Sequence, residues 1–414
     1  MGGFILTLSL YITFIFPILI SLFGFSYFGS EGSPIYVLTV VGLNALSLLY
    51  IFVYELSNYR KAVGTPICYF LPLIFILVYL FEYAFGWVNV FNPSYLIFRN
   101  SLAISMIGIM VGTFIARYNK FDEIYKNTEL LMLICSIAMI LSLPSMYSSG
   151  TGVSSIGGGG GHQTISYTAA FAFGITYYRV YVNPSIGYKL FRGHRYKYIA
   201  YILMAFQVVI CIVGGGRGGC VLFMVLLFFS ILYSKRNFIK SILLAIAFLL
   251  ILWCASNISY AGIGDMIKTG GERAFAFIGE SSIDMENGSS GRDYVYERAI
   301  SLISENPIIG YGFFRQYDLC TQYMDQPYCH NFFLELMLQD GVVLCFVGVI
   351  IFCAILFCVN SLIRMNNRYF SLISMSGLPL VMLMFSGTYF SNSLFWFILI
   401  FVLMEYKKLF GKKL

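Results

Sequence analysis

Apolar residues in this chain come in long, nearly unbroken runs. They show neither the strict alternation of a half-buried strand nor the three-or-four spacing of a surface helix. A bilayer core about 30 Å thick takes roughly 20 apolar residues to cross as a helix. Twelve stretches fit, at about 4–24, 35–54, 66–85, 94–115, 128–144, 165–181, 198–214, 219–234, 241–257, 342–360, 371–388 and 393–407. The pair around 198–234 is one apolar run split by Gly214-Gly215-Gly216-Arg217-Gly218-Gly219. Five glycines and a charge make a poor helix centre, so the split reads as a tight turn. The opening Met-Gly-Gly-Phe-Ile-Leu has no basic stretch and no small-residue cleavage site, so the first span is expected to be retained.

Composition agrees. Of 414 residues, 59% are hydrophobic and only 11% charged, with a mean hydropathy of +0.81. A soluble domain carries about 25% charged residues. This chain has too few polar side chains to cover a globule of its size, and disorder fails for the same reason. The fold class expected is all-α and polytopic, with about 12 transmembrane helices.

Lys and Arg set the orientation. With the N-terminus inside and strict alternation, 19 of the 26 basic residues fall on the cytoplasmic side. The other seven are Arg99, Arg217, Lys268, Arg273, Arg292, Arg298 and Arg315. The topology is therefore N-in and C-in. The net charge of +7 is mostly a topology signal and does not call for nucleic acid.

Three parts follow. Residues 1–257 hold spans one to nine, with a Gly-rich outer loop at 145–164. Residues 258–341 form a large helical outer loop ending in an interfacial helix. Residues 342–414 hold spans ten to twelve and a basic tail. A connector needs only a few residues, so an outer segment of this length implies function. Within it, Gly288-Ser289-Ser290-Gly291 precedes a helix starting near Arg292, which ends before Asn306-Pro307. Gly310-Tyr311-Gly312 makes a tight turn, and an amphipathic stretch from Asn331 to Asp340 is closed by Gly341. Cys320 and Cys329 can form a bridge in an oxidising compartment, or remain thiols.

The outer basic residues are six Arg and one Lys, against eight Arg and eleven Lys inside. Arg suits bidentate contact with phosphate or carboxylate, which points to an anionic ligand at the outer face. Arg217, in its glycine turn, is the sharpest candidate, since glycines there would expose backbone N–H groups to phosphate oxygens. The alternative is an Arg that anchors the turn. Arg292 heads the loop helix, and Arg298 reads as the partner of a nearby acid such as Glu305. Arg99 lies about five residues into the fourth span and Glu82 a similar depth from the end of the third. They read first as a mutually neutralising pair and second as substrate contacts. His330, at the mouth of the membrane domain, is a candidate general base or an N-cap. His162, after the Gly157–Gly161 run, and Arg273 are weaker substrate-binding candidates. No Asp-x-Asp or His-x-x-x-His spacing occurs outside, so neither metal nor other cofactor is expected.

These pieces in this order resemble the O-antigen polymerase and O-antigen ligase superfamily of bacterial envelope glycosyltransferases. Gly216-Arg217-Gly218-Gly219, Ser290-Gly291-Arg292, Asn306-Pro307 with Gly310-Tyr311-Gly312, and His330-Asn331 with Gly341 carry the resemblance, over roughly 205–360. Leu344 stands where the ligase pattern has a second glycine, which favours the polymerase branch. The resemblance implies a metal-independent C-type glycosyltransferase in the inner membrane, working at the periplasmic face on undecaprenyl-pyrophosphate-linked oligosaccharides as donor and acceptor. It assigns the pyrophosphate to Arg217 and Arg292 and help to the attacking hydroxyl to His330. Arg273, Arg298, His162, Arg99 and Asn331 are the further candidate substrate contacts offered by the residues themselves. A chain-length regulator and a flippase are the partners it implies, beside membrane lipid. The alternatives are the ligase that moves finished glycan to lipid A-core and, from another class, a flippase or other transporter. A transporter would set charges at mid-bilayer on broken helices. Here they cluster at the outer face, which favours an enzyme.

Overall fold

Eleven of the twelve apolar stretches fall on helices in the computed structural model of the chain, and the twelfth, 241–257, lies largely outside the described residues. The structure describes residues 2–22, 33–58, 67–86, 93–148, 161–182, 193–214, 216–233, 292–324, 328–385 and 387–410, with single positions or pairs at 188, 239, 242–243, 246–247 and 250. Among the described residues all regular structure is helical. The helices are α1 (Gly2–Leu22), α2 (Pro34–Asn58), α3 (Leu71–Ala84), α4 (Pro93–Tyr118), α5 (Phe121–Ser148), α6 (Gly161–Tyr181), α7 (His194–Val213), α8 (Arg217–Tyr233), α9 (Arg292–Glu305), α10 (Gln316–Met324), α11 (Phe332–Met365), α12 (Ser371–Phe385) and α13 (Ser393–Phe410). Among the described residues seven segments are long and apolar enough to cross a bilayer. The chain is an all-helical, multi-pass membrane protein.

One boundary differs from the sequence reading. The loop expected at 145–164 is shorter, because α5 continues through Ser148 and α6 already starts at Gly161. Gly161 and His162 therefore belong to the first turn of a helix, where glycine is tolerated better than at its centre.

The chain divides into two compact units. The first comprises Met1–Val40, Lys120–Ile283 and Met365–Val381. Its centre is α6, which packs against α1, α5, α7 and α8. Ala169, Ala170, Phe171, Ala172 and Phe173 are consecutive and all buried, as expected of a helix enclosed on every side. Arg179, assigned from sequence to the topology signal, is instead inside the fold. Its Nε lies 3.3 Å from Oε1 of Glu129, and both side chains are only 2% exposed.

The second unit comprises Val41–Asn119, Asp284–Arg364 and Met382–Leu414. Here α13 lies along α4, and the spacing Gly108-x-x-x-Gly112 lets the two backbones approach. A Cβ at Gly112 would stand 2.9 Å from the Phe397 carbonyl oxygen. The described part of the 258–341 segment is a small helical subdomain. Val295, Ala299 and Leu302 of α9, Leu319 and Cys320 of α10, Cys329, and Leu338 of α11 share one buried cluster. The sulfurs of Cys320 and Cys329 are 3.6 Å apart in it, as free thiols.

Candidate functional site

Arg217 is the first residue of α8, and it is half-buried. The glycines before and after it pack the turn against α6. The Ser166 hydroxyl lies 2.7 Å from the Cys211 carbonyl oxygen and 3.0 Å from that of Gly216, so it fastens both sides of the turn. A Cβ at Gly218 would strike the Tyr167 hydroxyl, and one at Gly219 would strike Ser166. Two of the turn's N–H groups are engaged: Gly214 donates to Ile210 O at 2.8 Å and Gly219 to Gly216 O at 2.9 Å. The sequence reading took these glycines as an open cradle for phosphate. Gly216, Gly218 and Gly219 also serve close helix packing, and Arg217 stands at the N-terminal end of the α8 dipole, which favours an anion. Gly216 also sits against Gln163, so the start of α6 lies beside this turn.

His330 and the start of α11 belong to the second unit. Asn331, not His330, is the helix cap: its Oδ1 accepts the N–H groups of Phe333 at 3.0 Å and Leu334 at 3.2 Å. That commits the Asn331 oxygen, leaving its amide nitrogen for any substrate contact. His330 takes φ +55, which a non-glycine residue adopts at a cost of about 1–2 kcal/mol. Its ring stands edge-on to Tyr328, with centroids 4.5 Å apart. A strained histidine held at a helix entrance is a reason to look for function.

The loop from Asn306 to Phe314 docks on the end of that same helical stretch. Tyr311 N donates to Leu338 O at 2.9 Å, Gly312 N to Gln339 O at 2.8 Å, and Val342 N to Pro307 O at 2.8 Å. Gly310 and Gly341 have φ +71 and +73 and face each other across this crossing. A Cβ on either would run into the opposite backbone, which explains both glycines. Gly341 breaks α11 where the sequence ends the interfacial helix, and the span resumes beyond it.

Four buried or half-buried polar residues underlie the loop, and of these the sequence singles out only Glu82. Glu82 on α3 accepts Phe313 N at 2.7 Å and Phe314 N at 2.9 Å, one on each carboxylate oxygen. The sequence pairs Glu82 with Arg99, whose side chain lies outside the described residues; the partner seen here is the loop backbone. Glu335 accepts the Thr388 hydroxyl, and Gln339 accepts that of Tyr389. Glu335 and Gln339 are four apart in an otherwise apolar stretch, a spacing that puts two polar groups on one helix face.

Asp340 is the fourth. It precedes the span that starts at Cys345. Burial, with the Glu82 carboxylate adding to it, pushes its acid from 3.8 up to about 6. The fold thus prefers the neutral acid. The stabilisation is complete below pH 3.8 and is lost as pH rises through about 6. Asp340→Asn should therefore raise thermal stability at pH 8 by about 1–2 kcal/mol after allowance for solvent screening, with the gain vanishing near pH 4. Melting of both proteins in nanodiscs at the two pH values checks this.

The remaining candidates are placed as follows. Arg298 lies over the Tyr294 ring, 5.5 Å from its centroid. Its expected partner, Glu305, instead accepts the Tyr311 hydroxyl at 3.0 Å. Seven residues of helix separate Arg298 from Glu305 by about 10 Å, too far for the expected pair. Arg292 starts α9 and His162 lies in the first turn of α6, but neither side chain is among the described ones. Arg273 falls outside the described residues. Arg217 belongs to the first unit and Arg292 and His330 to the second.

An all-helical membrane fold with an arginine at a glycine turn and a strained histidine just before α11 defines a class: a polytopic membrane protein with polar groups at the ends of its helices. Residues 200–349 match the model of the family described as O-antigen ligase. The match covers about a third of the chain and includes Arg217, Arg292 and His330. A comparison with curated proteins gave no match.

Proposed function

We propose that the protein is the O-antigen polymerase type of glycosyltransferase in the bacterial inner membrane, moving a nascent glycan from undecaprenyl pyrophosphate to the terminal sugar of a lipid-linked repeat unit at the periplasmic face. The observation that carries this reading is the family match over the segment holding Arg217, Arg292 and His330 in order. In the reaction the acceptor hydroxyl oxygen bonds to the donor's anomeric carbon, the bond from that carbon to the pyrophosphate oxygen breaks, and the hydroxyl proton is lost. Arg217 and Arg292 offset the charge that develops on the departing pyrophosphate, a task otherwise given to a divalent cation. His330 takes the proton, since a neutral imidazole is a competent base near pH 7.

A second reading, the ligase that attaches finished glycan to lipid A-core, has the family's own description in its favour. Lipopolysaccharide from a strain lacking the protein separates the two. Loss of a polymerase leaves single repeat units on lipid A-core, which is the expected result. Long chains stranded on the lipid carrier would establish the ligase. Single units trapped on the cytoplasmic side would establish a flippase.

A further inference from the structure

The loop between α9 and α10 has an unusual tip. Ile308 is 69% and Ile309 is 81% exposed, side by side. Two bulky aliphatic residues at the apex of a water-facing turn would be costly to leave in solvent. The surface they join is apolar as well. Val342 N bonds to Pro307 O, and Val342, Val343, Phe346 and Ile350 are exposed in turn along α11 into the span that begins at Cys345. By contrast, exposed positions on neighbouring α9 include the polar Glu297, Arg298, Ser301 and Ser304.

The backbone of the loop points the same way. Gly310, Tyr311, Gly312, Phe313 and Phe314 are five consecutive residues, and each N–H has an acceptor inside the protein: Asn306 O, Leu338 O, Gln339 O and the two oxygens of Glu82. This fixes the loop against the start of the membrane span with these amides satisfied by the protein, as backbone beside a bilayer requires.

We propose that the Asn306–Gly312 loop is a membrane-seated wedge, with Ile308 and Ile309 among the acyl chains of the bilayer leaflet that meets the N-terminal end of the α11 span. The occupant of this surface is bulk lipid hydrocarbon. The exposed Glu305 and its Tyr311 partner then sit at headgroup level, where a carboxylate and a phenol are at home. The inference is independent of the transferase reading.

The test is a fluorescent depth measurement in nanodiscs of the full-length protein. Ile309→Cys and, as a second position, Ile308→Cys are labelled with an environment-sensitive probe, after the exposed Cys353 is replaced by serine. Ser304→Cys serves as the aqueous control. Lipids carrying a nitroxide on the acyl chain should quench the probes at 308 and 309 several-fold more than the one at 304, while aqueous iodide should show the reverse order. Strong iodide quenching at 308 and 309 would overturn the proposal. So would protection from both quenchers with cross-linking between copies, which would mark a protein interface. Lipid quenching that appears only when a lipid-linked oligosaccharide is added would assign the surface to a substrate tail and overturn bulk lipid as the occupant.

Discussion

Arg217→Ala is expected to reduce glycan transfer by about 100- to 1,000-fold, the usual consequence of removing one group that stabilises transition-state charge. The protein should still reach the membrane at normal levels, because Ser166 and the closely packed glycines fasten the turn. Arg217→Lys should recover little of the activity. A lysine keeps the charge but loses the planar fork that holds two phosphate oxygens together. The measurement is the length of the lipopolysaccharide ladder in cells, beside the amount and melting temperature of the purified variant. A wild-type ladder from Arg217→Ala would remove this residue from the mechanism. A short ladder with an unstable protein would return it to the role of turn anchor.

The same arginine shows what was legible in the sequence. Its place in a turn between two spans followed from the glycines alone, and so did the break at Gly341. Both are local signals: a glycine either interrupts an apolar run or ends it. The use of the glycines was not legible, because that depends on Ser166 and Tyr167, some fifty residues away on α6. Two acidic residues tell the same story. Glu305 and Glu82 were given arginine partners by proximity and charge, whereas the partners seen are a tyrosine hydroxyl and two backbone amides. An amide is invisible to a reading based on side-chain charge. Arg179 was hidden for another reason: its partner Glu129 lies on a different helix, and a single basic residue near a span end reads equally well as a topology signal. The eleven apolar runs that fall on helices were readable because crossing a bilayer constrains composition continuously along each helix. The contacts that arrange those helices leave no such periodic mark.

Glu82→Leu is expected to undo the loop more than any surface change could. The glutamate is buried and spends both oxygens on the N–H groups of Phe313 and Phe314. Leucine would keep much of the volume and leave both amides without acceptors. A buried amide left unsatisfied costs about 1–3 kcal/mol, so the pair amounts to about 2–6 kcal/mol against the docked loop. The aromatic contacts that follow would loosen with it, since Phe313 packs on Phe75 of α3 and on Phe390. Glu82→Gln separates acceptor loss from charge loss, for it retains one carbonyl oxygen and should lie between the wild type and leucine. Amide hydrogen exchange across residues 306–314 is the direct readout, with faster exchange expected in the order wild type, glutamine, leucine. Exchange in Glu82→Leu that matched the wild type would mean that the loop is held by the Gly310–Gly341 crossing alone, and that the glutamate is a bystander to it.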